Sequence, residues 1–305
     1  MNVLLCGDLS ADDPSADEQS EWHVALSTAM PEAHWLDLSA AHAHPARVHA
    51  AVVANPAPGC LQGLPALRLI QSLWAGVDRL LADTTLPAGV PVARMVDPAM
   101  NAAMAETALW AVLSLHRGFF TYAQRQSQRE WRVHAQRRAD EVRVLVLGQG
   151  QMGRAAAARI AQQGYTLSTW RRDGSALQPL LAQADIVVNL LPLTDDTRGL
   201  LDARFFAALP PDASVVNLAR GAHVVDADLL AALGSGHLRH AVLDVFHVEP
   251  LPVEHAYWLH PKVTLLPHAA AGTDARSAAA VAVANLRACR DGAPIQNLVD
   301  RTRGY

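Results

Sequence analysis

The chain has 305 residues, 51% hydrophobic and 18% charged, which is enough for about two domains whose cores need neither disulfide nor metal. A net charge of -4 argues against nucleic acid as the main partner, and the chain has neither an uninterrupted apolar run of about 20 residues nor a basic N-terminal region, so no membrane span or signal peptide is expected. Lys and Arg total 25, but only Lys262 is lysine; no G-x-x-x-x-G-K-[ST] precedes it, which excludes P-loop chemistry, while the arginines suit two-point binding of carboxylates and phosphates.

In chain order, 3–6 reads as a buried strand ending at Gly7, and the acidic group Asp12, Asp13, Asp17 and Glu18 as a solvated loop. His42, His44 and His49 fall on an Ala/Pro-rich stretch without a carboxylate or cysteine pattern, so no metal is expected there. Residues 51–54 and 69–73 read as strands, and Arg94 follows another at Val92-Ala93. Residues 101–117 form a helix with Met104, Ala108, Ala111, Val112 and Leu115 on one stripe. Residues 121–141 turn polar and arginine-rich around Trp131, as a connecting arm would. A second series follows: strands at 142–147, 165–170, 185–190, 214–218, 240–244 and 263–266, with an Ala-rich helix at 151–163 after the first. Strands alternating with helices predict α/β architecture, and the second series predicts a doubly wound parallel sheet. Cys6, Cys60 and Cys289 are scattered, which fits a reducing cytoplasm.

The turn after strand 142–147 reads Gly148-Gln149-Gly150-Gln151-Met152-Gly153. Between an apolar strand and a helix this is the dinucleotide fingerprint: a tight turn, a close approach for the pyrophosphate, and close strand–helix packing, with the helix N-terminus facing the phosphates. About 20 residues on, an NAD site places a carboxylate on the ribose 2′-hydroxyl. Here the second strand ends in Trp170, followed by Arg171-Arg172-Asp173. Two cations at that place favour a 2′-phosphate and NADP(H). NAD(H) stays open, with Asp173 as the ribose ligand.

Three polar residues then follow strand ends: Arg220 in Asn217-Leu218-Ala219-Arg220-Gly221, Glu249 in Asp244-Val245-Phe246-His247-Val248-Glu249-Pro250, and His268 in Leu265-Leu266-Pro267-His268. Open α/β sheets bind ligands beyond their carboxyl strand ends. With the Gly-rich turn, with 190–197 (Leu-Leu-Pro-Leu-Thr-Asp-Asp-Thr), with Val225-Asp226, with Pro267-His268-Ala269-Ala270-Ala271-Gly272-Thr273, and with Leu73-Trp74-Ala75-Gly76-Val77-Asp78 in the first half, this order resembles the D-isomer-specific 2-hydroxyacid dehydrogenase family over most of the chain. The last of the later segments and the arginine pair look most like its NADPH-preferring glyoxylate/hydroxypyruvate reductase A branch.

The resemblance implies a flavodoxin-like substrate domain of residues 1–97 plus 270–305, with a Rossmann dinucleotide-binding domain, 98–269, inserted into it and the cleft at their junction. It implies reduction of a small 2-keto acid to the D-2-hydroxy acid. His268 would be the proton donor, Glu249 its orienting partner, and Arg220 the holder of the substrate carboxylate. Trp74, Ala75, Gly76, Val77 and Arg94 would complete the substrate site. Leu191, Pro192, Thr197, Ala219 and Asp244 would join the Gly-rich turn around the cofactor. It further implies a homodimer through 101–141. Two rivals remain at this level: a non-enzymatic nucleotide-sensing protein on the same fold, and an NAD-dependent dehydrogenase for a bulkier keto acid.

Overall fold

The computed structural model describes residues 1–9 and 17–305. These divide into two compact units, Met1–Ala99 with Thr273–Tyr305, and Met100–Gly272.

In the first unit, strands β1 (Asn2–Gly7), β2 (His34–Leu36), β3 (Ala50–Ala54), β4 (Ile70–Ser72) and β5 (Val92–Ala93) alternate with helices α1 (Asp17–Ala29), α2 (Leu38–Ala43) and α3 (Asp78–Leu81). All pairings are parallel, in the order β2-β1-β3-β4-β5, the flavodoxin-like arrangement. Every residue of β3 is buried, as expected of a central parallel strand covered on both faces. Two differences from the sequence reading appear. Asp17 and Glu18 open α1 and are not loop residues, while Asp12 and Asp13 lie outside the described residues. The three-residue β2 has no counterpart in the sequence reading: His-Trp-Leu at an edge is too short, and too exposed, to carry a period.

The second unit begins within α4 (Pro98–Arg117), whose stripe from Met104 to Leu115 is buried as its spacing predicts. The expected arm is partly helical: α5 (Phe119–Ser127) takes its first part, and 128–138 is irregular. That irregular stretch folds back on α5 through His134, whose Nδ1 lies 3.2 Å from the Tyr122 hydroxyl, and leaves Trp131 fully exposed. Then follow β6 (Arg143–Leu147), α6 (Gln151–Ala161), β7 (Thr166–Trp170), α7 (Gln178–Leu181), β8 (Ile186–Asn189), α8 (Ala203–Ala207), β9 (Ala213–Asn217), α9 (Asp226–Gly234), β10 (Leu238–Leu243) and β11 (Val263–Leu265). The sheet is parallel throughout, in the order β11-β10-β9-β8-β6-β7. Alternate residues along a strand face opposite sides. Leu145, Leu147, Val187, Val215 and Leu243 meet Phe205, Phe206, Leu229 and Leu233 on one side. Val144, Val146, Val188, Val216 and Val242 meet α4 and α6 on the other. This two-sided burial is the reason these strands read as unbroken apolar runs.

The chain returns to the first unit as α10 (Ala275–Asp291), N-capped by Asp274 and closed by Gly292 in the left-handed region. Inside that unit Asn285 of α10 donates to Gln71 of β4 at 2.8 Å and accepts from the Gln296 N–H at 2.9 Å, a buried polar link that fixes the helix against the sheet. Lys262, in the second unit, donates to the Leu233 carbonyl near the end of α9, so the single lysine caps a helix. Among the described residues no helix is long and apolar enough to cross a membrane.

Candidate active site

The six strands of the second sheet end level with one another. Trp170 pairs with Leu147, Leu147 with Asn189, Asn189 with Asn217, Asn217 with Leu243, and Leu243 with Leu265. The turns bearing Arg171, the Gly-rich motif, Leu191, Arg220, Glu249 and His268 therefore leave one rim. The strand order reverses between β6 and β8, and such a switch point is where open α/β sheets bind ligands.

At that point Gly148 has φ +105, and a Cβ there would lie 2.5 Å from the Leu190 carbonyl oxygen, so only glycine serves. A Cβ on Gly153 would meet the Gly148 carbonyl at 2.0 Å, which makes the crossing of turn and helix equally intolerant. Gly150 differs: nothing lies within 4 Å of its missing Cβ, and it begins α6 without a side-chain cap. The backbone at the start of α6 is thus open to close approach, with the positive end of the helix dipole behind its first N–H groups. This cradle fits a dinucleotide pyrophosphate. Beyond β7, Arg171 and Arg172 stand as expected, and each holds a carboxylate: Arg171 Nε lies 2.8 Å from Asp173, and Arg172 Nε 3.2 Å from Asp196. Two guanidinium groups at this place fit a 2′-phosphate.

The middle of the rim is organised by a pair that sequence reasoning missed. Asn189 and Asn217 end adjacent strands in register, fully buried, and Asn189 Nδ2 donates to Asn217 Oδ1 at 3.0 Å. Their remaining amide atoms serve the two turns: Asn189 Oδ1 accepts from the Leu191 N–H, and Asn217 Nδ2 donates to the Arg220 carbonyl. The available signal is two asparagines, each closing an otherwise apolar buried strand. Arg220 is extended (φ -145, ψ 143), and its Nη1 donates to the Ala219 carbonyl at 2.8 Å. The next residue must be glycine, since a Cβ on Gly221 would fall 1.9 Å from the Phe246 carbonyl carbon. The Arg220 turn and the 244–249 turn are thereby in direct contact.

On that neighbouring turn, Glu249 accepts from the Phe246 N–H through Oε1 at 2.8 Å and from His268 Nδ1 through Oε2 at 2.7 Å. Burial pushes the Glu249 carboxyl up. The His268 and Phe246 hydrogen bonds and the charges of His268 and Arg220 outweigh it and hold the group below its ordinary value. The Glu249 hydrogen bond raises His268 above the ordinary histidine value, against burial and the charge of Arg220. Each partner favours the other's charged form.

His268 itself has φ +55, a left-handed conformation uncommon for a side-chain-bearing residue. Asp244 holds it there. The Asp244 carbonyl accepts the His268 N–H at 2.8 Å, and its buried carboxylate accepts the N–H groups of Ala269 and Ala270 at 2.7 and 3.1 Å. Burial drives the Asp244 carboxyl above its ordinary value, and the two N–H donors counter only part of that. The sequence reading places Asp244 near the cofactor; the structure adds that it shapes the turn carrying the histidine.

The other expected residues are distributed as follows. Leu191 and Ala219 are buried at the rim, and Pro192 accepts the Thr197 hydroxyl at 2.7 Å. Thr197 is 2% exposed and also accepts the Thr194 N–H, so its hydroxyl is used inside its own loop. In the first unit, Trp74, Ala75, Gly76 and Val77 follow β4, and Arg94 follows β5. Among the described residues, the N–H groups of Ala75, Gly76 and Val77 donate to no protein acceptor. The Trp74 Nε1 is buried without a partner. Burial pushes the Arg94 guanidinium down, and among the described residues no carboxylate opposes that shift. His49 accepts the Asn2 N–H, and His42 faces the Cys60 carbonyl at 3.4 Å.

The model of the D-isomer specific 2-hydroxyacid dehydrogenase NAD binding domain matches residues 109–270. The chain is 36% identical to the glyoxylate/hydroxypyruvate reductase A of Serratia proteamaculans, over 93% of this chain and 96% of that one. Among solved structures, a D-isomer specific 2-hydroxyacid dehydrogenase of Xanthobacter autotrophicus Py2 in complex with NADPH and MES superposes with a TM-score of 0.91 at 38% identity, covering 100% of this chain and 99% of that one. An NADPH-dependent glyoxylate/hydroxypyruvate reductase of Sinorhizobium meliloti, in complex with NADP and sulfate, gives a TM-score of 0.90 at 32% identity, with 100% and 99% covered. The chain belongs to the D-isomer specific 2-hydroxyacid dehydrogenase family.

Proposed function

We propose that this protein reduces a small 2-keto acid of the glyoxylate or hydroxypyruvate type to the D-2-hydroxy acid, with NADPH as the favoured cofactor. The observation that carries the reading is the 2.7 Å Glu249–His268 pair on the rim that also bears Arg220 and the Gly-rich cradle. The names of the relatives and the NADPH and NADP bound by the solved neighbours support it. The bound cofactor supplies the hydride. Gly148, Gln149, Gly150, Gln151, Met152 and Gly153 hold its pyrophosphate, Arg171 and Arg172 its 2′-phosphate, and Leu191, Pro192, Ala219 and Asp244 line its other end. Thr197 contributes by shaping the loop.

His268, with Nδ1 donating to Glu249, carries the catalytic proton on Nε2 and gives it to the carbonyl oxygen. Arg220 grips the carboxylate and stabilises the developing alkoxide. Among the described residues the N–H groups of Ala75, Gly76 and Val77 donate to no protein acceptor, which leaves them available to a carboxylate, and Trp74 and Arg94 join as further substrate contacts. Assembly as a homodimer through 101–141 is part of the same reading, supported by the exposed Trp110, Phe119 and Trp131. A cytoplasmic location is supported by the three free cysteines; burial pushes the Cys6 thiol up to about 12.

NADPH consumption followed at 340 nm with glyoxylate, hydroxypyruvate, pyruvate and phenylpyruvate, repeated with NADH, tests the proposal. Turnover of the two small oxygenated acids, faster with NADPH, is expected. No turnover with any acid would return the protein to the nucleotide-sensing class.

Glu249→Gln gives a second prediction. Reduction needs protonated His268, so activity falls as pH rises through the His268 pKa. The carboxylate raises that pKa. Its removal should therefore move the alkaline limb of kcat/KM to lower pH. An unmoved limb would separate Glu249 from the proton donor.

A further inference from the structure

We propose that Asp173 and Asp196 are internal competitors for the 2′-phosphate and set how strongly the protein prefers a 2′-phosphorylated nucleotide; the inference rests on the NADPH reading above. Both arginines at the end of β7 already face a carboxylate of their own unit. Arg171 Nε donates to Asp173 Oδ2 at 2.8 Å, while Asp173 Oδ1 accepts the Ser175 N–H at 3.1 Å. The Arg171 hydrogen bond, with those of Ser175, lowers the Asp173 carboxyl to about 2, so it is ionised at any working pH. Arg172 reaches the segment after β8, with Nε 3.2 Å from Asp196 Oδ2 and Nη1 donating to the Asp196 carbonyl at 3.1 Å.

A phosphate monoester needs the same guanidinium forks that these carboxylates occupy, because a fork presents a fixed set of N–H donors. The phosphate must therefore displace each carboxylate, or bind beside it against like-charge repulsion. A 2′-hydroxyl carries no such charge and meets neither cost. The two aspartates thus penalise the phosphorylated nucleotide selectively. Their ion pairs are solvent-exposed, so each penalty is modest.

Asp173→Asn and Asp196→Asn remove the charge and keep the shape. In the first variant the amide oxygen can still accept the Ser175 N–H, and in the second the Arg172 bond to the backbone carbonyl of residue 196 survives. Dissociation constants of the purified protein for adenosine 2′,5′-bisphosphate and for 5′-AMP, measured by calorimetric titration at low and high KCl, test the proposal without any turnover. Each variant should bind the bisphosphate about two- to fivefold more tightly and the double variant about tenfold, with 5′-AMP unchanged within about twofold. The gain should shrink as salt screens the pairs. Unchanged ratios in both variants overturn the proposal. So does a weaker affinity of Asp173→Asn for 5′-AMP, which would make Asp173 the ribose ligand. If the unaltered protein itself binds the two probes equally, the NADPH reading fails first, and that outcome is visible before any variant is compared.

Discussion

Replacing His268 with Ala or Asn is expected to lower kcat for keto-acid reduction by about 10²–10⁴-fold, the usual worth of a positioned general acid, while the NADPH dissociation constant stays within about twofold. The expectation follows from the backbone as much as from the ring. His268 is held in a left-handed turn by Asp244 through bonds to main-chain N–H groups, which remain whatever side chain residue 268 bears. Asn is the gentler replacement because it tolerates that conformation better than Ala, so a poorly folded Ala variant would not obscure the result. Steady-state rates with glyoxylate, beside fluorescence titration with NADPH, separate the two quantities. Parallel loss of rate and nucleotide affinity in both variants would make His268 a structural residue.

Arg220→Lys should cost about 10²–10³-fold in kcat/KM, the scale measured when one donor to a developing oxyanion is removed. Charge is conserved in this variant and the planar fork is not, so the loss reports two-point geometry. The position suits the test. Asn217 and His223 fix the Arg220 backbone through its carbonyl, at 2.9 and 3.2 Å, and neither contact involves the guanidinium. A lysine variant keeping more than about a tenth of the parent kcat/KM would mean that Arg220 supplies charge alone.

Much of this site is legible in the chain because it is built of turns at the ends of buried strands. An apolar run that stops at a polar residue marks both the strand and the place where its turn begins, and Gly148, Arg220, Glu249 and His268 all stand at such places. What the sequence conceals is whatever depends on register or on partner choice. Asn189 and Asn217 are 28 residues apart, and only the pairing of β8 with β9 brings them side by side. Asp196 reaches Arg172 across 24 residues. β2 is too short to leave a period, and the polar composition of 121–141 hides α5, whose stability comes in part from His134 folding back upon it. Asp244 is recognisable as a site residue, but its hold on a left-handed histidine is a matter of backbone geometry that no residue pattern encodes.

The level strand ends have a consequence for how this protein can change. Valine, leucine and alanine fill the strands beneath the rim, and the residues assigned to chemistry occupy the turns above them, so most substitutions that alter substrate or cofactor choice leave the core untouched. Some polar side chains belong to both layers: Asn189, Asn217, His223 and Asp244 are buried as deeply as the core and hydrogen-bonded to the turns. At these positions a gain of new activity and a loss of stability would arrive in the same mutation. Engineering of the rim has to respect these side chains together with Gly148, Gly153 and Gly221, where no Cβ fits.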